Sequence, residues 1–131
     1  MKNSEIFELS NALQSKSLKQ IETFKVNYAI EKNKRILSKE VDLIRDLVKQ
    51  VEGYADYIEK AEKLKASATE DKLEEFTKSA KELEEEYKDA ISKVQEILDS
   101  ESGVKLYTIK IEEFPEKLSA DNTAILFNIL E

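Results

Sequence analysis

One repeating pattern constrains this chain more than any other. Leu37, Val41, Ile44, Val48, Val51, Ala55 and Ile58 follow one another at steps of 4, 3, 4, 3, 4, 3. That spacing lines one side of a helix with apolar groups and calls for a second helix to cover them. Traced backward the seam meets Asn33, Ile30 and Val26, with one extra residue near Asn33 that locally relaxes a left-handed supercoil. A second seam runs through Leu73, Phe76, Ala80, Leu83, Tyr87, Ala90, Val94 and Ile97 without a fault. The stretch "KLKASATED" between them is too short for anything but an antiparallel return. The composition agrees, since two glycines and one proline in 131 residues leave little punctuation for turns.

The expected fold is therefore mainly α: a long antiparallel helical hairpin, coiled-coil-like, in a single domain over 1–131. Its first helix is read as 18–64 and its second as 68–100, with Ser67-x-x-Glu70 as a capping box and Gly103 as a stop. Gly53 falls inside the first helix at a cost of about 1 kcal/mol relative to alanine. Paired outward from the loop, the first helix outruns the second by about sixteen residues at 1.5 Å each. The overhang carries Leu18, Ile21, Phe24, Val26, Tyr28 and Ile30, too much apolar surface to leave in water.

The chain ends are available to cover it. Residues 4–15 read as a short amphipathic helix with Ile6, Leu9 and Leu13 on one side. "VKLYTIKI", 104–111, alternates as one β-strand, and residues 119–130 read as a terminal helix with Ser119 as N-cap. These pieces form the expected small head. A lone strand needs a partner for its edge, either the first residues of the chain or a second copy.

Charge is unevenly spread. The chain carries 21 Lys and Arg against 28 Asp and Glu, a net −7, which opposes general phosphate binding, so a nucleic-acid partner is not expected. Yet seven basic residues stand against two glutamates between Lys16 and Lys39, a basic island in an acidic protein. Lys25, Lys32, Lys34, Arg35 and Lys39 are either a contact for an acidic or phosphate-bearing partner or a solvated helix face. Neither a glycine loop nor aromatic interleaving is evident beside them in sequence. Asn33, polar within the seam, sets register or partner choice. The tyrosines, Tyr107 among them, belong to a core edge or an interface.

The chain has no cysteine and no histidine. That removes disulfides, thiol chemistry, common zinc sites and any Ser-His or Cys-His nucleophile pair. The acidic run "KELEEEYKDA" invites comparison with metal-binding glutamates of helical nucleotide hydrolases and di-iron bundles. Glu82, Glu85 and Glu86, however, lie between the seam positions and point outward. They are candidate contact residues rather than metal ligands, and no catalytic residue, cofactor or metal is expected. With no apolar leader or long uncharged run, no membrane partner is expected either, and the expected compartment is the cytoplasm.

The stretches "EIFELSNALQS", "FKVNYAIEKNKRIL" and "YTIKIEEFPEKLSADNTAILFNIL" together resemble small phage and prophage helical proteins of unassigned function. In that group a short helix leads into a "K-x-x-Y-x-I-x-K-N-K-x-x-L"-like helix, then an acidic helix and a tail with a strand, a proline and a last helix. The resemblance implies no activity. It implies a phage-encoded protein acting in the bacterial cytoplasm or within the virion. The expected function is thus a non-enzymatic protein–protein interaction component, virion, assembly or accessory, with itself or a bacterial host protein as partner. The alternatives are an acidic inhibitor that mimics nucleic acid toward a host defence or DNA-handling protein, and a metal-dependent nucleotide hydrolase.

Overall fold

The structure is a computed structural model that describes residues 1–115 and 117–131. It is 72% helical. Among the described residues six α-helices follow in order: α1 Asn3–Ala12, α2 Phe24–Lys49, α3 Tyr54–Ala66, α4 Leu73–Glu86, α5 Lys88–Asp99 and α6 Ala120–Leu126. Single 3-10 turns lie at Leu18–Gln20, Glu70–Lys72, Ile111–Glu113 and Phe127–Ile129. The chain divides into two compact units, 1–43 with 100–131 and 44–99, the boundary falling inside α2. None of the described helices is long and apolar enough to cross a membrane.

The first unit gathers both chain ends on the first half of α2. Val26, Ile30, Asn33, Leu37 and Val41 are all buried, so the seam marks the packed side of this helix. In the same unit Ile6, Leu9 and Leu13 from the N-terminal segment, and Ile109, Leu126 and Ile129 from the tail, are buried in turn. Main-chain bonds tie the ends down: Asn3 N–H donates to Ser100 C=O and Ser102 N–H to Met1 C=O, both at 2.9 Å. Farther along, Ile109 N–H donates to Ile129 C=O and Glu131 N–H to Ile109 C=O. Ser119 caps α6 as expected, its Oγ accepting from Asn122 N–H at 3.1 Å. Asn122, itself buried, is bonded to the Ser17 hydroxyl at 2.6 Å.

Three expectations need correction here. The strand over 104–111 is not formed. Among the described residues the only bridges are isolated, antiparallel Lys2–Glu101 and parallel Ile109–Leu130. A strand needs a ladder, and where a neighbouring strand would bond Tyr107 the chain instead places the side chain of Asn33. Second, the overhang is covered only in part. Leu18, Ile21, Val26 and Ile30 are buried, but Phe24 is 78% exposed and Tyr28 48%, because α2 begins at Phe24 and turns these two rings to the opposite side. Third, Gly103 does not end a helix in the left-handed conformation, since Gly53 is the one glycine with positive φ.

Within the second unit α3 lies against α4 and α5 as a helical hairpin. The long helix read as 18–64 is broken between Lys49 and Tyr54, where Gly53 takes φ +85°. That left-handed turn restarts the helix, so the apolar spacing runs on while the hydrogen bonding does not. A Cβ at Gly53 would meet only ordinary contacts, the nearest at 3.7 Å to the Tyr87 ring. Gly53→Ala should therefore cost about 1–2 kcal/mol through backbone conformation alone, readable as a lower urea midpoint with an unchanged slope. The second long helix, read as 68–100, starts later and is divided at Tyr87. Hydrogen bonds from Tyr87 N–H to Leu83 C=O and from Ile91 N–H to Tyr87 C=O carry it across. Ser67 closes α3 instead of opening α4, its Oγ donating to Leu64 C=O at 2.9 Å.

Candidate functional site

At 100° per residue, Val26, Ile30, Asn33, Leu37 and Val41 occupy an arc of about 80° on α2. Phe24, Tyr28, Lys32, Arg35 and Lys39 occupy an arc of about the same width centred on the opposite side. All five of the latter are exposed. The helix therefore has two patterned faces, one packed and one open, and the open one interleaves rings with cations. That interleaving was missed in the linear sequence, where Phe24, Tyr28 and Lys32 stand four apart. The i, i+4 spacing was the available signal.

Asn33 builds the back of this surface. It is fully buried, and its Nδ2 donates to Tyr107 C=O at 2.8 Å while its Oδ1 accepts from Tyr107 N–H at 2.7 Å. A carboxamide presents an N–H donor and a C=O acceptor side by side, so it satisfies both main-chain groups of one residue as a neighbouring strand would. Asn33 does set a register, but that of the tail on α2 rather than of helix on helix. Tyr107, held there, packs edge-on to Tyr28 with centroids 5.6 Å apart. Phe24 adds a third ring 6.3 Å from Tyr28. Lys32 Nζ sits 4.7 Å from the Tyr107 centroid and 5.6 Å from that of Tyr28, a cation on ring faces.

The rest of the basic island separates by partner. Lys25 bonds Glu113 at 3.0 Å, and this hydrogen bond holds the Glu113 carboxyl below its ordinary range. Lys34 bonds Glu31 at 3.0 Å on the side of the helix. Arg35 and Lys39 have no carboxylate partner among the described residues. They line a cleft of about 400 Å³ with Tyr28, Glu31, Lys32 and Ile36. A second cleft, of about 310 Å³, runs past Phe24, Lys25, Tyr28, Tyr107, Ile109 and Glu113. The surface is not uniformly basic, for Glu31 borders it and Asp42 ends it.

The acidic candidates belong to the second unit. Glu82, Glu85 and Glu86 are exposed on α4, and Glu86 lies 4.0 Å from Lys60. Lys60 donates to the Tyr87 hydroxyl at 2.6 Å, which is the main cause of its raised pKa. Among the described residues no three Asp or Glu side chains gather closely enough to hold a metal ion. Compared with protein-family models, curated proteins and solved structures, the chain matches none.

Proposed function

We propose that this is a non-enzymatic binding protein that docks an acidic protein partner on the open face of α2. The observation that carries the reading is the pairing of exposed Phe24 and Tyr28 with two cations, Arg35 and Lys39, that no carboxylate among the described residues engages. Rings left in water and cations left unpaired are satisfied together by a surface carrying apolar and acidic side chains. A protein fits better than nucleic acid because Glu31, Asp42 and Glu113 stand in or beside the same surface and would repel phosphates.

The Arg35 and Lys39 side chains make no ion pair among the described residues, so Arg35→Glu with Lys39→Glu should leave the fold and melting temperature intact. Quantitative affinity capture from a lysate of the source organism should then lose its partner about tenfold or more, the equivalent of one such contact reversed. Equal capture by both forms would overturn the reading. The phage resemblance adds the context of an assembly or accessory component.

A second reading rests on the other unit. Residues 44–99 hold ten Lys and Arg against sixteen Asp and Glu, so most of the net negative charge lies there. Exposed Glu74, Glu75, Glu82, Glu84 and Glu85 make no salt bridge among the described residues. This suits a nucleic-acid mimic acting on a DNA-handling protein. Loss of capture on reversing Glu82 and Glu85, with the α2 variant unaffected, would favour it.

A further inference from the structure

The tail from Ser102 to Thr108 runs without turn or bend. From Lys105 to Ile109 its main-chain hydrogen bonds among the described residues leave from one edge. Tyr107 gives its N–H and C=O to Asn33, and Ile109 gives its own to Glu131 and Ile129. In an extended chain successive residues aim their main-chain groups to opposite edges, so Leu106 and Thr108 face the other way. Neither makes a main-chain hydrogen bond among the described residues. Thr108 and Lys110 are themselves exposed, and Leu106 is half-buried. At Leu106 and Thr108 the outer edge is thus open, a template for pairing.

We infer that two copies of this chain pair antiparallel along the free edge of Leu106 and Thr108, giving a two-fold dimer. The segment carries the residues that favour pairing, with Val104, Tyr107, Thr108 and Ile109 β-branched or aromatic. It is also compatible with its own copy electrostatically. When Leu106 and Thr108 of each copy supply the bonds, residues of like parity stand opposite each other. With Leu106 of one copy opposite Thr108 of the other, Lys105 faces Ile109 and Lys110 faces Val104. Because the two lysines are five apart they never oppose one another, and with the pairing centred between Leu106 and Thr108 neither opposes itself. Like charges directly across a pair would be the obstacle to self-association, and here there are none. The three-ring cluster around Tyr107 adjoins the two-fold axis.

The Thr108 amide makes no hydrogen bond among the described residues, which provides a clean test. Thr108→Pro removes one pairing donor. It also suits an extended Tyr107, as the residue before proline must be. By sedimentation over roughly 1 µM to 1 mM, wild type should pass from monomer to dimer mass, an affinity typical of a small interface. The proline variant should remain a monomer throughout, with the helical circular dichroism of dilute wild type, while Thr108→Val should dimerise like wild type. Amide exchange of Leu106 and Thr108 in wild type should slow as concentration rises. Wild type that stays a monomer over the whole range, or a folded proline variant that dimerises equally well, overturns the inference. So does concentration-independent exchange at those two amides, which remains readable if the proline variant fails to fold. A wild-type monomer that takes up a foreign extended peptide at this edge would also reject self-pairing.

Discussion

Asn33→Ala is expected to lower stability by about 2–4 kcal/mol, because it leaves both main-chain groups of Tyr107 without a partner in a largely dry place. The residue is fully buried and makes its two bonds at 2.7 and 2.8 Å. No carboxamide nitrogen or oxygen is left over, so both functions are lost at once. Asn33→Leu should do no better, since shape without a donor and an acceptor still strands the backbone. Asn33→Asp is more informative. Its carboxylate accepts from Tyr107 N–H but offers nothing to Tyr107 C=O, and it buries a charge. That variant should be at least as unstable as alanine at neutral pH. It should recover part of the loss in acid, where the protonated carboxyl can donate again. Urea denaturation at two pH values reads both effects. An alanine variant within about 0.5 kcal/mol of wild type, the range of ordinary surface changes, would mean that the tail is held without Asn33.

The second large effect compares two leucines six residues apart on α2. Leu37→Ala should cost about 3 kcal/mol, within the range for a leucine emptied from a close-packed core. Leu37 is fully buried. Leu43→Ala should cost less than about 1 kcal/mol, since that side chain is 52% exposed on the open side. Chemical denaturation of the two variants distinguishes a helix packed on one side from one wrapped all round. Equal losses would mean that the open face is covered in solution. A loss at Leu43 that appears only at high concentration would point to a second molecule as the cover.

How far the sequence discloses this fold depends on which residues are asked. The seam from Val26 to Val41 is legible because burying one side of a helix imposes its period directly on the residues. The wrapping of α2 by both chain ends is legible too, since Leu18, Ile21 and Ile30 had to be buried by something. The break at Gly53 is not, because the apolar steps from Val51 to Ala55 continue across it and only the backbone reverses. Nor is the absence of a strand at 104–111. Its alternation is genuine, but a ladder depends on what lies alongside, and that is Asn33, 74 residues away in sequence.

The candidate surface was half legible. Lys32, Arg35 and Lys39 stand out as cations, and Asn33 as a polar residue in an apolar seam. Phe24 and Tyr28 were assigned to the covered side because both are apolar. Periodicity separates the faces of a helix, and by that measure the two rings lie with the cations and not with Val26 and Ile30. The binding chemistry of α2 lies in this second, weaker pattern, which composition alone hides.

Hydrogen exchange at the Tyr107 amide tests the central claim most directly. In dilute protein, where only the single chain is present, an amide held by a buried side chain should exchange far more slowly than Leu106 and Thr108 on either side. The same protection should vanish in Asn33→Ala. If Tyr107 exchanges as fast as its two neighbours, the tail is not fastened to α2 through Asn33, and the surface built on that fastening does not exist.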